Sequence, residues 1–236
     1  MINYAHRGAS QYAPENTLSS FYLGLLQNAN GIETDVRRSK DGELILFHDD
    51  TLERVAEISS RVNDLTLHEL KQIKIYKTPN IGFYDRIVTF REFLEHFASY
   101  DINFAIELKD NGIEADVLKL TKEFGIMEKT TFTSFAFDYL KNIKDADKSA
   151  RIGWLIVNPD EQSVERLLEI GGEEIAPKAE NITKELMQML RSKNLGVRAW
   201  GVSNTELMKK MCELKVDGMT VNFPDLLQKH ICGTKE

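Results

Sequence analysis

Three carboxylates, two imidazoles and two cations stand at spacings that could assemble a phosphoryl-transfer site. Glu33 and Asp35 lie two residues apart in Gly31-Ile32-Glu33-Thr34-Asp35-Val36, so on a strand both side chains point to one face. Glu107 and Lys109 repeat that spacing after the apolar run Phe104-Ala105-Ile106. An unpaired carboxylate in such a core-like run is costly, and three converging carboxylates repel one another. A hard divalent cation resolves the conflict, because oxygen-only sites suit magnesium or calcium, with manganese also consistent. No cysteine is near these residues, so a structural zinc site is not expected. His6 and His48 each stand beside charged residues, in His6-Arg7 and His48-Asp49-Asp50. Imidazole titrates near neutral pH, so one ring can accept a proton while the other donates one. Arg7 can fork onto a phosphate, and Lys109 can act as a point charge. Taken singly, each group has a plainer reading: a solvated strand face for Glu33 and Asp35, a structural histidine for either imidazole.

These residues need elements to carry them, and the chain supplies a regular alternation. Ile2 to Ala5 reads as a strand, followed by a helix over Thr17 to Gln27 with Leu18, Phe21 and Leu25 on one face. Gly31 to Val36 reads as a second strand, with Leu44 to Phe47 as an extra extended segment after the Asp41-Gly42 turn. Residues 49–88 read as irregular, with one short helix over Leu67 to Ile73 and the turn-rich Thr78-Pro79-Asn80. From helix Phe90 to Ala98 and strand Asn103 to Glu107 onward, strands and helices alternate to Val221, and Pro224 opens a terminal helix. Eight βα units imply a parallel sheet. The fold expected is α/β, a (β/α)8 TIM barrel in one domain over 1–236, with an insertion at about 51–87 after the second strand. A doubly wound sheet is the rival. In a barrel, working groups sit at the C-terminal strand ends, which is where His6, Glu33, Asp35, His48, Glu107, Lys109 and Trp200 fall.

The bulk numbers agree. A length of 236 residues suits one barrel of about 250. With 37 acidic against 30 basic residues the net charge is -7, which argues against nucleic-acid binding and against docking on an anionic membrane. The expected partner is a small molecule. No apolar run approaches a membrane span. Met1-Ile2-Asn3-Tyr4-Ala5 runs straight into the polar His6 motif, leaving no room for a signal peptide. The two cysteines, Cys212 and Cys232, form no CxxC pair, as in a reducing compartment. The expected location is cytoplasmic.

The ordered blocks Ala5-His6-Arg7-Gly8-Ala9-Ser10, Ala13-Pro14-Glu15-Asn16-Thr17, Glu33-Thr34-Asp35-Val36, Phe47-His48-Asp49-Asp50-Thr51-Leu52, Leu65-Thr66-Leu67-His68-Glu69-Leu70 and Ile106-Glu107-Leu108-Lys109 resemble the glycerophosphodiester phosphodiesterase family. They span the first half of the chain. The second half matches by rhythm, with weaker echoes at Thr133-Ser134-Phe135 and Val216-Asp217-Gly218-Met219-Thr220. One block would be weak evidence, whereas the ordered set is specific. The resemblance implies a PLC-like phosphodiesterase barrel that binds one divalent ion through Glu33, Asp35 and Glu107. It implies His6 and His48 as the acid/base pair, with Arg7 and Lys109 on the phosphate and Glu15 and Asn16 close by. Asn16 has a second reading as a helix cap. Trp200, with Phe135, would wall the pocket around the glycerol, although Trp200 also reads as a core residue.

The activity so implied is metal-dependent hydrolysis of glycerophosphodiesters to sn-glycerol 3-phosphate and an alcohol, through a cyclic phosphate. The alternatives are a lysophospholipase D, a phosphatidylinositol phospholipase C-like enzyme, or a barrel that binds phosphodiesters without turnover. The last should have lost a histidine or a carboxylate, and all are present. One departure stands out. The family often has aspartate before its late Pro-Asp, and here Asn222 precedes Phe223-Pro224-Asp225, which is expected to touch a structural hydrogen bond and not the reaction.

Overall fold

The alternating apolar runs pair edge to edge as parallel strands. The computed structural model describes residues 1–77 and 83–233, so Thr78-Pro79-Asn80 lies outside the described residues. The strands are β1 (Ile2–His6), β2 (Gly31–Arg38), β3 (Leu44–Leu46), β4 (Lys74–Tyr76), β5 (Tyr84–Arg86), β6 (Asn103–Leu108), β7 (Thr130–Ser134), β8 (Arg151–Ile156), β9 (Glu174–Pro177), β10 (Gly196–Val202) and β11 (Gly218–Val221). The helices are α1 (Leu18–Leu26), α2 (Glu53–Ala56), α3 (Leu67–Gln72), α4 (Phe90–Phe97), α5 (Glu114–Glu123), α6 (Phe137–Ala146), α7 (Glu161–Glu169), α8 (Lys184–Ser192), α9 (Thr205–Glu213) and α10 (Pro224–Gly233).

Strand β1 pairs in parallel with β11 on one side and β2 on the other. The order β1-β11-β10-β9-β8-β7-β6-β2 therefore closes on itself. Closure excludes the doubly wound rival and makes the fold a closed parallel barrel with helices between its strands. Phe93, Leu140, Val164, Leu190 and Met211, all buried helix residues, face outward-pointing strand residues such as Phe104, Ile152 and Val197 in one continuous core.

Strand β3 is the extra segment expected outside the barrel series: it runs antiparallel to the end of β2, with Val36 opposite Leu46. Other local features depart from expectation. Thr17, not Asn16, caps α1, its hydroxyl accepting from the Ser20 amide. Residues 49–88 hold more order than expected: α2, a 3-10 turn over Val62–Asp64 and the antiparallel pair β4–β5. These pieces are three or four residues long, too short to give a periodic signal. Together with α3 they pack Val55, Val62, Leu70 and Ile75 against Ile45 and Phe47, a second small core that props the insertion beside the barrel. Strand β10 continues past Trp200 to Val202.

Candidate active site

Pairing register brings the chemistry together. On the barrel interior His6 lies opposite Glu33, and Asp35 lies opposite Glu107. Alternation along β2 keeps Glu33 and Asp35 on the same inner face. One oxygen from each of Glu33, Asp35 and Glu107 lies within 4.8 Å of the others, and the three residues are 3%, 0% and 6% exposed. His6 Nε2 is 3.9 Å from Glu33 Oε2. A cavity of about 300 Å³ opens above this floor, lined by His6, Arg7, Glu33, His48, Glu107 and Trp200 among others.

The loop after β1 is held in an unusual backbone conformation. Arg7 has φ +54°, a region that costs a non-glycine residue energy and persists only where neighbours impose it. Here they do. Its amide donates to the Glu33 carbonyl (2.9 Å) and its carbonyl accepts from the Asn16 amide (3.0 Å) and the Ser20 hydroxyl (2.8 Å). Gly8 follows at φ +83°, and a Cβ there would come within 2.4 Å of Ser20, so only glycine fits.

The electrostatics are strongly uneven. Arg7 Nε lies 3.1 Å from Asp35 Oδ2, an ion pair without hydrogen-bond alignment. Lys109 Nζ donates to Glu107 (2.7 Å) and stands 3.6 Å from Asp35 Oδ1. Burial by itself would raise the Asp35 carboxyl, but Arg7 and Lys109 outweigh it and hold it below its usual range. Glu33 goes the other way, pushed well up by burial and then by Asp35 and Glu107. Glu107 is pushed up to about 7, by burial and then by Asp35. Two carboxyls that resist ionising beside a third that stays ionised make a site with unspent affinity for positive charge. Asp35 Oδ1 is buried with no hydrogen-bond donor. An all-oxygen set with an orphaned oxygen fits a hard divalent cation, and Glu33, Asp35 and Glu107 are the residues that could hold it.

The imidazoles flank this cluster. Burial, and then Arg7, pull His6 down to about 4; although 30% of its side-chain surface is open, the surrounding protein penalises its charged form. Burial also lowers His48, opposed by Asp35. Both rings are therefore neutral at pH 7 and can accept a proton.

Of the remaining expected residues, Trp200 and Phe135 meet edge to face at 5.0 Å between centroids and form one wall of the cavity. Trp200 also donates from its indole nitrogen to the Ile156 carbonyl. Asn16 is buried and donates to Asp35 Oδ2 (2.9 Å) while accepting from Thr34. Glu15 accepts from Arg7 (2.8 Å). Neither Glu15, Asn16 nor Lys109 lines the cavity; they stand behind the residues that do.

Sequence reasoning missed four contributors. Asn222 Oδ1 lies 2.6 Å from His6 Nδ1 and also accepts from Ser10, so the departure at this position touches His6 and not a remote structural bond. Arg198 is 1% exposed yet lines the cavity, with Nε on Glu174 and one Nη on Thr220. It stands two residues before Trp200, so the same alternation applied to Glu33 and Asp35 would have put it inside. Asp49 contacts His48, its neighbour in the chain. Arg54, from the insertion, had no sequence signal.

A closed parallel barrel whose strand ends carry an acidic cluster and two neutral imidazoles around one small cavity defines a class: a (β/α)8 phosphodiester hydrolase. Within it, the pattern of the Glycerophosphoryl diester phosphodiesterase family matches residues 6–226, and the chain belongs to that family. It is 31% identical over 229 residues to a glycerophosphodiester phosphodiesterase of Caldanaerobacter subterraneus subsp. tengcongensis, covering 94% of each. Among solved structures it is similar to an Oleispira antarctica phosphodiesterase in complex with the product sn-glycerol-3-phosphate, with TM-score 0.89 and 26% identity over 97% of this chain and 96% of that one. A glycerophosphodiester phosphodiesterase of Thermotoga maritima matches with TM-score 0.80 and 28% identity, over 98% of each chain. Among the described residues no helix is long and apolar enough to cross a membrane.

Proposed function

We propose that this barrel hydrolyses glycerophosphodiesters to sn-glycerol 3-phosphate and an alcohol, with His6 and His48 moving the protons and Glu33, Asp35 and Glu107 holding one divalent cation. The observation that carries the reading is a cluster of three buried carboxylates beside one cavity that Glu33, Glu107 and both imidazoles line. The product held by the Oleispira antarctica relative supports the same substrate class. A bound cation would supply Lewis-acid charge for the phosphate and lower the pKa of a hydroxyl beside it.

The chain's own groups account for the rest. Arg7 lines the cavity and faces the phosphate, while Lys109 stands behind it as a counter-ion to Glu107; both balance the charge that builds on the phosphate oxygens. One imidazole takes the proton of the glycerol 2-hydroxyl, whose oxygen forms a bond to phosphorus. The bond from phosphorus to the alcohol oxygen breaks, and the other ring, entering this step in its minority protonated form, gives that oxygen a proton. Water then opens the cyclic phosphate with the two roles exchanged. Trp200 and Phe135 shield the glycerol. The chain acts as one domain over 1–236, the insertion at about 51–87 supporting the rim, in a cytoplasmic setting without nucleic-acid or membrane partners.

The test is hydrolysis of glycerophosphocholine, glycerophosphoethanolamine, glycerophosphoinositol and a lysophospholipid by EDTA-treated protein, with magnesium, calcium or manganese added back. Glycerol 3-phosphate appearing only after metal return supports the reading, and turnover undiminished in EDTA overturns the metal assignment. Exclusive cleavage of the lysophospholipid would favour the lysophospholipase D reading, for which the 46% exposure of Phe135 at the mouth offers apolar surface. An analogue lacking the 2-hydroxyl should not turn over; its hydrolysis would refute the cyclic route.

A further inference from the structure

A chain of charged groups runs round the rim from His48 to the acidic cluster. His48 Nδ1 is 2.5 Å from Asp49 Oδ1. The second oxygen of Asp49 accepts from Arg54 Nε at 2.6 Å. Both terminal nitrogens of Arg54 fork onto Glu15, each at 2.7 Å. Glu15 in turn accepts from Arg7 at 2.8 Å, and Arg7 pairs with Asp35 at 3.1 Å. Arg54 is the only member of this chain that comes from α2, the first helix of the insertion. Its neighbour Val55 is buried in the small core there, so the backbone under Arg54 is anchored.

The plainer reading is a surface salt bridge, since 48% of the Arg54 side chain is exposed and such pairs contribute little to stability. Two observations set this one apart. Arg54 spends three nitrogens on two carboxylates in a bidentate fork, the arrangement that fixes geometry as well as charge. Its partners Glu15 and Asp49 are only 17% and 25% exposed, and each leads directly to a residue lining the cavity.

We propose that Arg54 and Asp49 are positioning residues for the reaction: Arg54 sets the Asp49 carboxylate, which binds the Nδ1–H of His48 and thereby turns Nε2 toward the substrate as the proton-exchanging atom. A neutral imidazole has one N–H donor and one acceptor nitrogen. An ionised carboxylate only accepts, so His48 must carry its hydrogen on Nδ1 wherever Asp49 is held in place. The Arg54 and His48 hydrogen bonds overcome the effect of burial and keep the Asp49 carboxyl below its ordinary range. The same carboxylate steadies the imidazolium once Nε2 has taken a proton. The insertion thus contributes to turnover through α2 without touching the substrate. The inference rests on the proposed acid/base role of His48.

The test compares Arg54→Ala, Arg54→Lys and Asp49→Ala with Arg91→Ala, which breaks another forked pair, Arg91 with Glu123, neither of which lines the cavity. Steady-state kinetics on glycerophosphocholine, melting curves and the 15N shifts of the His48 ring are measured on each. Arg54→Ala and Asp49→Ala are expected to lower kcat by about 10- to 100-fold with KM nearly unchanged, to melt no lower than Arg91→Ala, and to mix the His48 tautomers. Arg54→Lys should recover little, because lysine cannot fork, whereas methylguanidinium should partly restore Arg54→Ala. Wild-type kcat in Arg54→Ala, or a wild-type His48 tautomer in Asp49→Ala, would overturn the proposal. His48→Ala separates the two readings. If it is inactive while Arg54→Ala is normal, only the positioning role fails; if it is fully active, the acid/base role of His48 fails and this inference with it.

Discussion

Calcium titrated into the metal-free protein should bind more weakly, and displace more protons, as the pH falls from 8 to 6. The cause is Glu107, whose carboxyl stands at about 7 against an ordinary 4.5. The sign follows from which state holds the proton. Below pH 4.5 the group is protonated whether the chain is folded or not. Above 7 it is ionised in both, and the fold then carries the full cost of a buried carboxylate near Asp35. That cost, about 3 kcal/mol, builds up as pH rises from 4.5 to 7 and is complete above it, and a bound cation relieves it. Stabilisation by calcium is therefore larger at pH 8 than at pH 6.

At pH 6 Glu107 is about nine-tenths protonated, so a cation must expel nearly one proton from it. The affinity should be roughly tenfold lower than at pH 8, about 1.4 kcal/mol. Glu33, raised by the same causes, acts in the same direction, while Asp35, held below 3.8, stays ionised across this range. His6 pulls the folding equilibrium the opposite way, because a fold that keeps it neutral down to about 4 loses stability as pH falls below 6.5. The calcium-induced change is accordingly the quantity to follow, not the absolute melting temperature. Calorimetry at both pH values, in two buffers of different ionisation heat, gives affinity and proton count together. Equal affinities with no proton release at pH 6 would refute the argument that these carboxyls crowd one another. Glu107→Gln should weaken binding and flatten its pH dependence.

Three further outcomes follow from the geometry. His6→Ala and His48→Ala should each lower kcat by at least about 100-fold while calcium still binds by calorimetry; near-normal turnover in either would remove that ring from the acid/base pair. Arg198→Leu removes a buried guanidinium and strips the partly buried Glu174 carboxylate of its Nε partner, and should cost about 3 kcal/mol, read as a fall in melting temperature of roughly 10 °C; an unchanged melting curve would show that the pair does not hold the barrel floor. Gly8→Ala forces a Cβ to within 2.4 Å of Ser20 at φ +83° and should destabilise by more than about 1 kcal/mol, with a normal denaturation midpoint as the contrary result.

Much of the site was legible because its signals are local. The spacing of Glu33 and Asp35 states that they share a face, and the apolar residues around Glu107 state that this face is inside. The barrel strands were readable for the same reason, each being a short apolar run between turn residues and an amphipathic helix. Where elements shrink to three or four residues, as in β4, β5 and α2, there is no period to read, and the insertion passed as irregular.

The partners of the histidines belong to another level. Asn222 is 216 residues from His6 in the chain, and they meet because β11 closes on β1. Arg54 reaches Glu15 across 39 residues because the small core seats α2 on the rim. The chain by itself determined which residues face inward, since alternation along a strand is a property of the backbone. Only the closed tertiary structure decided which inward groups touch, because contact across strands depends on register and closure, and no short stretch of sequence contains either.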